Sequence, residues 1–253
     1  MDAGKYLNRL KIFQKEEAKY SFLEKLQVSH LTTVPFENID IRQGRKIILD
    51  EEHLFKKIVV HRRGGFCYEL NGLFGWLLCK LNYNVSLVSG RVYIMSEDRF
   101  TPEFDHMALL VHLDRPYLVD VGFGDSFRKP IALPAGKVED VSGKYRVVAL
   151  NSDQNSYVIP KLEEGNWRPV YSFTTYSRKM ADFAEMCQYN QTSPKSHFTQ
   201  KTICTIATAD GRITLSDDSL TINHGETKRK RTVSPAEINA ILRQYFGHSD
   251  IAS

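Results

Sequence analysis

The hydrophobic pattern of this chain changes its period close to residue 85. Before that point, apolar residues recur at the three- and four-residue steps of amphipathic helices. In the segment 15–31 this face is formed by Phe22, Leu23, Leu26 and His30. After residue 85, β-branched and aromatic runs such as NVSLVSGRVYIM (84–95) and HMALLVHL (106–113) are separated by short turns. Helices followed by strands, rather than alternating with them, predict an α+β protein with a mostly antiparallel central sandwich or barrel.

Two more helices are marked in the first part of the chain. Asp50 is placed to cap a short helix, because its carboxylate can accept from the N–H groups of the first turn. A further helix begins at or near Cys67, so that this residue lies on the buried stripe. The apolar faces of these two helices carry Leu54, Phe55, Ile58 and Val59 in the first, and Leu70, Phe74, Leu77, Leu78 and Leu81 in the second.

The end of the chain combines strands with a well-marked helix. Ser234, Pro235 and Glu237 form a capping box with proline at the first helical position, and Gly247 marks the end of this helix. Its apolar face carries Ile238, Ile241, Leu242, Tyr245 and Phe246. Three short strands are expected before it, at 202–208, 212–216 and 220–223. The basic run TKRKR (227–231) is interpreted as a solvated loop, although it could also attract phosphate groups.

Composition narrows the class of protein. The chain has 253 residues, enough for a sizeable core, and its formal charge of +4 is far below that of nucleic-acid-binding domains. No apolar run is long enough to cross a membrane, and charges interrupt the N-terminal segment, unlike a signal peptide. The four cysteines form no CxxC pair and no metal-binding spacing with histidine. We therefore expect a cytoplasmic protein without nucleic-acid, membrane or metal partners.

One cysteine has neighbours that suit a nucleophile. In HRRGGFCYELNGLF (61–74), Cys67 follows two arginines and a glycine pair at the start of a helix. Helix N-terminal N–H groups and cations lower a thiol pKa, and glycines let a substrate approach the backbone closely. The same N–H groups could hold an oxyanion. The alternative interpretation, equally compatible with the residues, is a small apolar side chain that begins a buried helix.

A reactive thiol needs a base, and the base needs a group that orients it. His106 opens an apolar strand, and Asp120 interrupts the run YLVDVGFG, where an unpaired carboxylate would be costly to bury. A strand-end histidine and a structural ion pair are the alternatives. A tight hairpin at Asp114–Pro116 would set Asp120 opposite residue 110, roughly 13 Å from His106 at ~3.3 Å per residue. The two side chains can therefore meet only if a bulge, a bend or another register intervenes.

Five segments, in this order, resemble the motifs of the arylamine N-acetyltransferase family. They are VPFENIDI (34–41), RRGGFCYELNGLF (62–74), DHMALLV (105–111), VDVGFG (119–124) and NQTSPKSHF (190–198). The resemblance implies a catalytic triad of Cys67, His106 and Asp120. It also implies acetyl-CoA as co-substrate, an arylamine or arylhydrazine acceptor, and a ping-pong mechanism through acetyl-cysteine.

The same resemblance implies a cysteine-protease/transglutaminase-like core in three regions. These are a helical bundle (1–84), an antiparallel β-barrel (85–190) and an α/β lid that ends in a helix (191–253). Phe36, Phe66 and Phe123 lie within the motifs and are candidates for the wall of an apolar acceptor pocket, with core packing as the alternative. Glu37 and Arg63 are candidates for a salt bridge that braces the turn before Cys67; a solvent-facing pair is the alternative.

Three other functions share this chemistry or this fold. An amide synthase that closes a macrocycle would look the same at the triad. A thiol hydrolase or transglutaminase-like enzyme would use the same three residue types on another substrate. A binding protein with an inert, buried Cys67 is the fourth possibility.

Overall fold

The structure is a computed structural model that describes residues 1–150, 152, 155–225 and 227–247. Its α-helices are α1 (Ala3–Arg9), α2 (Tyr20–Thr33), α3 (Ile39–Arg42), α4 (Glu51–Phe55), α5 (Cys67–Lys80), α6 (Ala184–Thr192), α7 (His197–Gln200) and α8 (Pro235–Phe246). Short 3₁₀ turns occupy Met95–Glu97 and Met180–Phe183, and a π-helical turn, Lys56–Val60, continues α4. No helix among these described residues is long and apolar enough to cross a membrane.

The helices of the first part begin where the sequence predicts. The Asp50 carboxylate accepts from the N–H groups of Glu52 and His53, both at 3.1 Å, and so caps α4. Helix α5 begins at Cys67, as expected. The predicted apolar stripes of α2, α4 and α5 are all buried, and those of α2 and α5 meet in one core.

The central strands form one ten-stranded antiparallel sheet that curls into a nearly closed barrel, which confirms the α+β prediction. Along the sheet the order is β6-β5-β4-β2-β11-β10-β8-β7, with β3 beside β2 and β9 beside β10. The strands are β2 (Asn84–Ile94), β3 (Arg99–Phe100), β4 (His106–His112), β5 (Pro116–Val119), β6 (Ile131–Ala132), β7 (Lys137–Asp140), β8 (Gly143–Arg146), β9 (Val148–Ala149), β10 (Ser156–Glu163) and β11 (Asn166–Thr174).

Strand β4 is buried on both faces, and this places the candidate site. Met107, Leu109 and Val111 pack into the helical core beside α5. Ala108 and Leu110 point the other way, into the barrel interior. Because side chains alternate along a strand, the His106 side chain is on the same face as Ala108, toward the barrel. The next residue, Met107, is on the face toward the helical core. The start of β4 is therefore the junction of the two layers.

A second, five-stranded sheet joins the two ends of the chain. Its order is β1-β12-β13-β14-β15, with strands β1 (Phe36–Glu37), β12 (Ile203–Ala207), β13 (Gly211–Ser216), β14 (Ser219–His224) and β15 (Thr227–Thr232). The three predicted strands are present. The interpretation of TKRKR as a loop was wrong: it is the exposed edge strand β15. An edge strand of Lys and Arg residues can pair with its neighbour while every charge stays in water. Such a strand has no alternation of apolar and polar residues, so the sequence did not predict it.

The last helix is capped as predicted. The Glu237 carboxylate accepts from the Ser234 N–H at 2.9 Å, and Gly247 ends α8 with a φ of 68°. Arg128 of the barrel donates to the carbonyl oxygen of Gly211, at 2.6 Å, and so attaches this part of the chain to the barrel. Since β1 of the first predicted region pairs with β12 of the last, these two regions share a sheet. Their boundaries at residues 84 and 190 stay a prediction.

Candidate active site

Cys67 is the first residue of α5, and a tight turn places it there. The Gly65 backbone forms a bridge with Phe36, and Gly64 lies so close to the Pro35 carbonyl that a side chain would collide with it. The Glu69 carboxylate accepts from the Phe66 N–H at 3.1 Å and stabilises the first turn of the helix. Cys67 is buried, and its N–H group is among those at a helix start that have no partner within the helix.

His106 and Asp120 meet, and the register explains how. Their contact joins Nε2 to Oδ2 at 2.7 Å, with both side chains buried. Leu109 pairs with Val119, so the ladder, if extended, would set Asp120 opposite residue 108 rather than 110. The chain then leaves the strand, because β5 ends at Val119. Diagonal neighbours on one face of a sheet are within reach of long side chains, and this closes the expected gap.

Asn71 connects the helix to both other elements, and the sequence analysis missed it. Its Nδ2 donates to Asp120 Oδ1 at 2.9 Å and to the Met107 carbonyl at 2.6 Å. Its Oδ1 accepts from the Val121 N–H at 2.9 Å. The signal was present: an amide four residues after Cys67 interrupts an apolar stripe, and a buried amide must find partners.

The loop after Asp120 packs directly on the cysteine. A Cβ added to Gly122 would lie 2.8 Å from the Cys67 Cα, so only glycine fits there. The Gly122 N–H also donates to Asp120 Oδ1 at 2.9 Å. The Cys67 sulfur lies 4.0 Å from the carbonyl oxygen of Asp105, next to His106. Because Asp120 occupies Nε2 of His106, Nδ1 is the ring nitrogen left to serve the thiol.

The expectation that the two arginines lower the Cys67 pKa was wrong. Arg62 is exposed, and the Arg63 guanidinium contacts Glu37 Oε1 at 2.8 Å and Asp40 Oδ1 at 3.0 Å instead of the sulfur. Burial raises the pKa of the Cys67 thiol well above its usual value, and the nearby Asp105 raises it further. The Met107 N–H lowers it, but by less. The directions of the Arg62 and Arg63 side chains determine whether they act on the Cys67 pKa, and the local sequence does not predict these directions.

The predicted Glu37–Arg63 salt bridge is present and buried. It belongs to a larger cluster in which Lys57 contacts Asp40 at 2.7 Å and Glu69 at 2.8 Å. Burial alone would raise the pKa of Asp40, but Lys57 and Arg63 outweigh it and lower that pKa. Since Glu69 also holds the Phe66 N–H, the cluster anchors the turn from which α5 starts.

Aromatic rings surround the histidine. Phe123 and Tyr171 stack at 5.2 Å between centroids, and both meet the His106 ring, at 5.2 and 4.9 Å respectively. The Tyr171 hydroxyl is buried near the Asp120 carboxylate, and burial together with this carboxylate raises the pKa of Tyr171 well above its usual value. Phe123 is half-buried, so part of its ring is accessible beside the imidazole.

Phe36 and Phe66 lie deeper than Phe123. Phe66 is fully buried, and Phe36 is 8% exposed. Phe198, which the sequence analysis did not select, joins them: its ring lies 6.2 Å from Phe36 and 5.6 Å from Phe66. Within the described residues, no group of three or more His, Cys, Asp or Glu side chains is arranged to hold a metal ion.

A buried cysteine at a helix start lies 4.0 Å from the backbone of the residue before His106, and a carboxylate holds one nitrogen of that imidazole. These are the residue types that thiol-dependent acyl-transfer enzymes combine. A family model for N-acetyltransferases matches residues 21–249. The arylamine N-acetyltransferase of Mycolicibacterium smegmatis is 34% identical over 254 residues, covering 98% of this chain and 92% of that protein. The chain belongs to the arylamine N-acetyltransferase family, as its motifs indicated.

Two solved structures extend the comparison. A Bacillus cereus arylamine N-acetyltransferase, described as having a unique Cys-His-Glu catalytic triad, has a TM-score of 0.92 at 27% identity and covers 99% of this chain and 100% of its own. Mycobacterium marinum arylamine N-acetyltransferase in complex with CoA has a TM-score of 0.89 at 29% identity, with 98% and 93% covered. Where the Bacillus cereus triad has a glutamate, the carboxylate beside His106 here is Asp120.

Proposed function

We propose that this chain transfers an acetyl group from acetyl-CoA to an arylamine or arylhydrazine, by a ping-pong mechanism with Cys67, His106 and Asp120 as its catalytic triad. The observation that carries the proposal is the buried Nε2–Oδ2 contact of 2.7 Å, which leaves Nδ1 of His106 as the ring nitrogen available to a thiol. The family relationship supports the acceptor class, and the CoA complex of the Mycobacterium marinum relative supports the donor.

In the first half-reaction, the Cys67 thiol gives its proton to Nδ1 of His106, and the thiolate attacks the thioester carbon of acetyl-CoA. The bond from that carbon to the CoA sulfur breaks, and the imidazolium returns the proton to CoA as it leaves. Burial disfavours a standing thiolate, so proton transfer to His106 has to accompany the attack. Asp120 stabilises the imidazolium and holds the ring orientation.

In the second half-reaction, the acceptor nitrogen attacks the acetyl carbon on Cys67. The proton from nitrogen passes to Nδ1 of His106 and then to the departing cysteine sulfur, which restores the thiol. One thioester replaces another in the first step, so the acetyl group is stored without a large change in free energy. The second step gives an amide, which is much more stable than a thioester.

We assign the acceptor ring to the aromatic wall beside the imidazole. Phe123 is the best placed of the three candidates, because its half-buried ring touches the His106 ring. Phe36 and Phe66 are buried and pack against Phe198, and no ring contact joins them to Phe123 among the described residues. The assignment predicts that Phe123→Ala raises KM for an aromatic amine more than it changes acylation by acetyl-CoA.

The first experiment is intact-mass measurement of the protein after incubation with acetyl-CoA alone. We expect one acetyl group, located on Cys67 by digestion and discharged when an aromatic amine is added. The matched control is Cys79→Ser, which removes an exposed cysteine from the other end of the same helix and should leave acetylation unchanged. Cys67→Ser should form no acetyl-enzyme able to react with amine.

Two results would reject the proposal. Undiminished turnover in Cys67→Ser would show that another group carries the acetyl. An acetyl-enzyme that reacts with water and ignores aromatic amines would instead favour the thiol hydrolase interpretation.

A further inference from the structure

A second carboxylate lies beside the cysteine, and the triad does not use it. Asp105 precedes His106 in the chain, and its carbonyl oxygen is 4.0 Å from the Cys67 sulfur. Its side chain is half-buried, so it reaches the surface of the site rather than the core. Asp120, by contrast, is buried behind the imidazole. Of the two carboxylates, Asp105 is therefore the more accessible to a molecule that enters the site.

The Asp105 side chain is held in place. The buried amide of Asn190 donates from Nδ2 to Asp105 Oδ1 at 3.0 Å and to the Tyr68 hydroxyl at 3.2 Å. Ser196 donates in turn to the Asn190 Oδ1 at 3.0 Å, which fixes the orientation of the amide. The carboxylate is thus positioned by a network from α5, α6 and the segment after it. Such positioning is unnecessary for a solvated surface aspartate.

Asp105 has no cation of its own. Across the part of the chain that the structure describes, no Lys, Arg or His side chain forms a salt bridge with it, and its Oδ2 accepts no hydrogen bond. The three acidic residues of the neighbouring cluster are different, because Glu37, Asp40 and Glu69 are each paired with Lys57 or Arg63. A fixed negative charge next to the nucleophile has been left unneutralised.

This charge acts against the thiol. After burial, Asp105 is the next largest cause of the raised Cys67 pKa. Because Asp105 makes the Cys67 thiol harder to ionise, it does not assist acylation. Any benefit to catalysis has to come from another step, such as binding of the acceptor. The acceptor nitrogen must come within about 3–3.5 Å of the acetyl carbon on sulfur. Since the Asp105 carbonyl oxygen is 4.0 Å from that sulfur, an acceptor in this position is near Asp105.

We propose that Asp105 is a specificity-determining residue that favours arylamine acceptors with a positively charged substituent and disfavours anionic ones. The inference rests on the transferase function proposed above and adds the charge class of the acceptor. Opposite charges at contact range near a protein surface attract, and like charges repel, by energies that correspond to about tenfold or more in kcat/KM.

The test uses three acceptors of the same shape and different charge: 4-aminobenzamidine (cationic), 4-aminobenzamide (neutral) and 4-aminobenzoate (anionic). We expect the ratio of kcat/KM for the amidine to that for the benzoate to fall by at least about tenfold from wild type to Asp105→Asn. The asparagine keeps an oxygen for Asn190, and comparing ratios removes the intrinsic reactivities of the amines. Asp114→Asn, at an exposed turn beyond the other end of β4, removes the same charge and should leave the ratio unchanged.

Two further readouts keep the test decisive. Alkylation of Cys67 in Asp105→Asn should reach its half-maximal rate at lower pH than in wild type, which shows that the variant is folded around the thiol. In wild type, the preference for the amidine should shrink as salt rises, because salt screens exposed charges. This measurement needs no variant.

An unchanged ratio in Asp105→Asn, together with a salt-independent preference in wild type, would overturn the inference. Failure of the proposed function looks different: wild type would then acquire no acetyl group on Cys67 and would not acetylate the neutral amide. A preference that disappears equally in Asp114→Asn would assign the effect to net charge and would also overturn the role of Asp105.

Discussion

Two buried histidines in this molecule have almost the same surroundings and different partners. His30 lies in the helical core, fully buried, with Nε2 2.9 Å from the Tyr6 hydroxyl and the Phe74 ring 5.1 Å away. His106 lies at the barrel junction, also buried and flanked by aromatic rings, but its Nε2 contacts a carboxylate. Burial and aromatic neighbours are common to both, so the partner makes the difference.

The partner decides whether the ring can hold a proton. Burial, with a smaller contribution from Arg9, lowers the pKa of His30 to about 3, so this ring is neutral at physiological pH. For Asp120, burial would raise the pKa, but His106, Asn71 and the Gly122 N–H outweigh it and lower it. A standing negative charge therefore faces one imidazole and not the other. Histidine thus serves packing in the helical core and, in the proposed mechanism, proton transfer at the barrel junction.

Replacing each histidine by glutamine should separate the two roles most strongly. We expect His106→Gln to lose acylation by about 10⁴-fold or more, because the thiol loses its base. His30→Gln should keep kcat/KM within about twofold and lose about 1–3 kcal/mol of unfolding free energy with its bond to Tyr6. Single-turnover acylation and urea unfolding measure the two quantities. Wild-type rates in His106→Gln would remove this residue from the mechanism.

Asp120→Asn should make the surroundings of His106 resemble those of His30. The imidazolium would lose its carboxylate, and we expect acylation to slow by about 10³- to 10⁴-fold. The Asn71 amide would also face a second amide, so the melting temperature must be measured alongside the rate. A rate loss that tracks unfolding would show that Asp120 only supports the fold. A folded, slow variant supports the assigned role.

The pH dependence of stability should report the neutral histidine. The folded pKa of His30, about 3, is below its unfolded value, so the unfolded chain binds the additional proton. The stability that depends on a neutral ring is present above pH ~6.5 and is lost as pH falls toward 3. Asp120 contributes in a lower window, because its folded pKa is also depressed, from an unfolded value of about 3.9.

The measurement is urea unfolding of wild type and His30→Gln between pH 7 and pH 4. We expect the wild-type protein to be the more stable at pH 7 by about 1–3 kcal/mol, and this advantage to disappear or reverse as the solution becomes more acidic. A constant difference across this range would show that the folded and unfolded proteins bind the His30 proton equally, which would contradict a lowered pKa.

The smallest effect is expected at the ring that contacts His106. Tyr171→Phe removes a buried hydroxyl whose only polar neighbour among the described residues is the Asp120 carboxylate, so the free energy of unfolding should change by no more than about 1 kcal/mol. Acylation should change by no more than about fivefold, because the ring remains in contact with the imidazole. A much larger rate loss would show that the hydroxyl helps to hold Asp120.

Local signals in the sequence predicted most of the scaffold. Asp50, Ser234 and Gly247 begin or end helices through bonds to nearby backbone, and such short-range chemistry can be read from adjacent letters. The motif order placed Cys67, His106 and Asp120 in one site, and the structure brings the last two into contact. Their catalytic role stays a proposal.

The relations that the sequence did not predict all depend on distant parts of the chain. Strand register differed by two residues from the simple hairpin, and this decided whether His106 could reach Asp120. Arg63 pairs with Glu37 and Asp40, which lie 26 and 23 residues earlier in the chain. Its effect on the pKa of Cys67 was therefore misjudged from the sequence. Asn71 gave only a weak signal, since a single amide in an apolar stripe does not indicate which groups it will hydrogen-bond.

The edge strand β15 has a consequence for how two copies of this protein meet. The opposite edge of its sheet is occupied, because Phe36 of β1 bridges to Gly65. The β15 edge has no neighbouring strand within the described part of the chain, and its Lys228, Arg229, Lys230 and Arg231 are all exposed. If a second copy paired with it edge to edge, cations would face cations at successive positions, which is unfavourable for each pair. These charges therefore disfavour edge-to-edge pairing of two copies, and with it the extension of the sheet from one copy into the next.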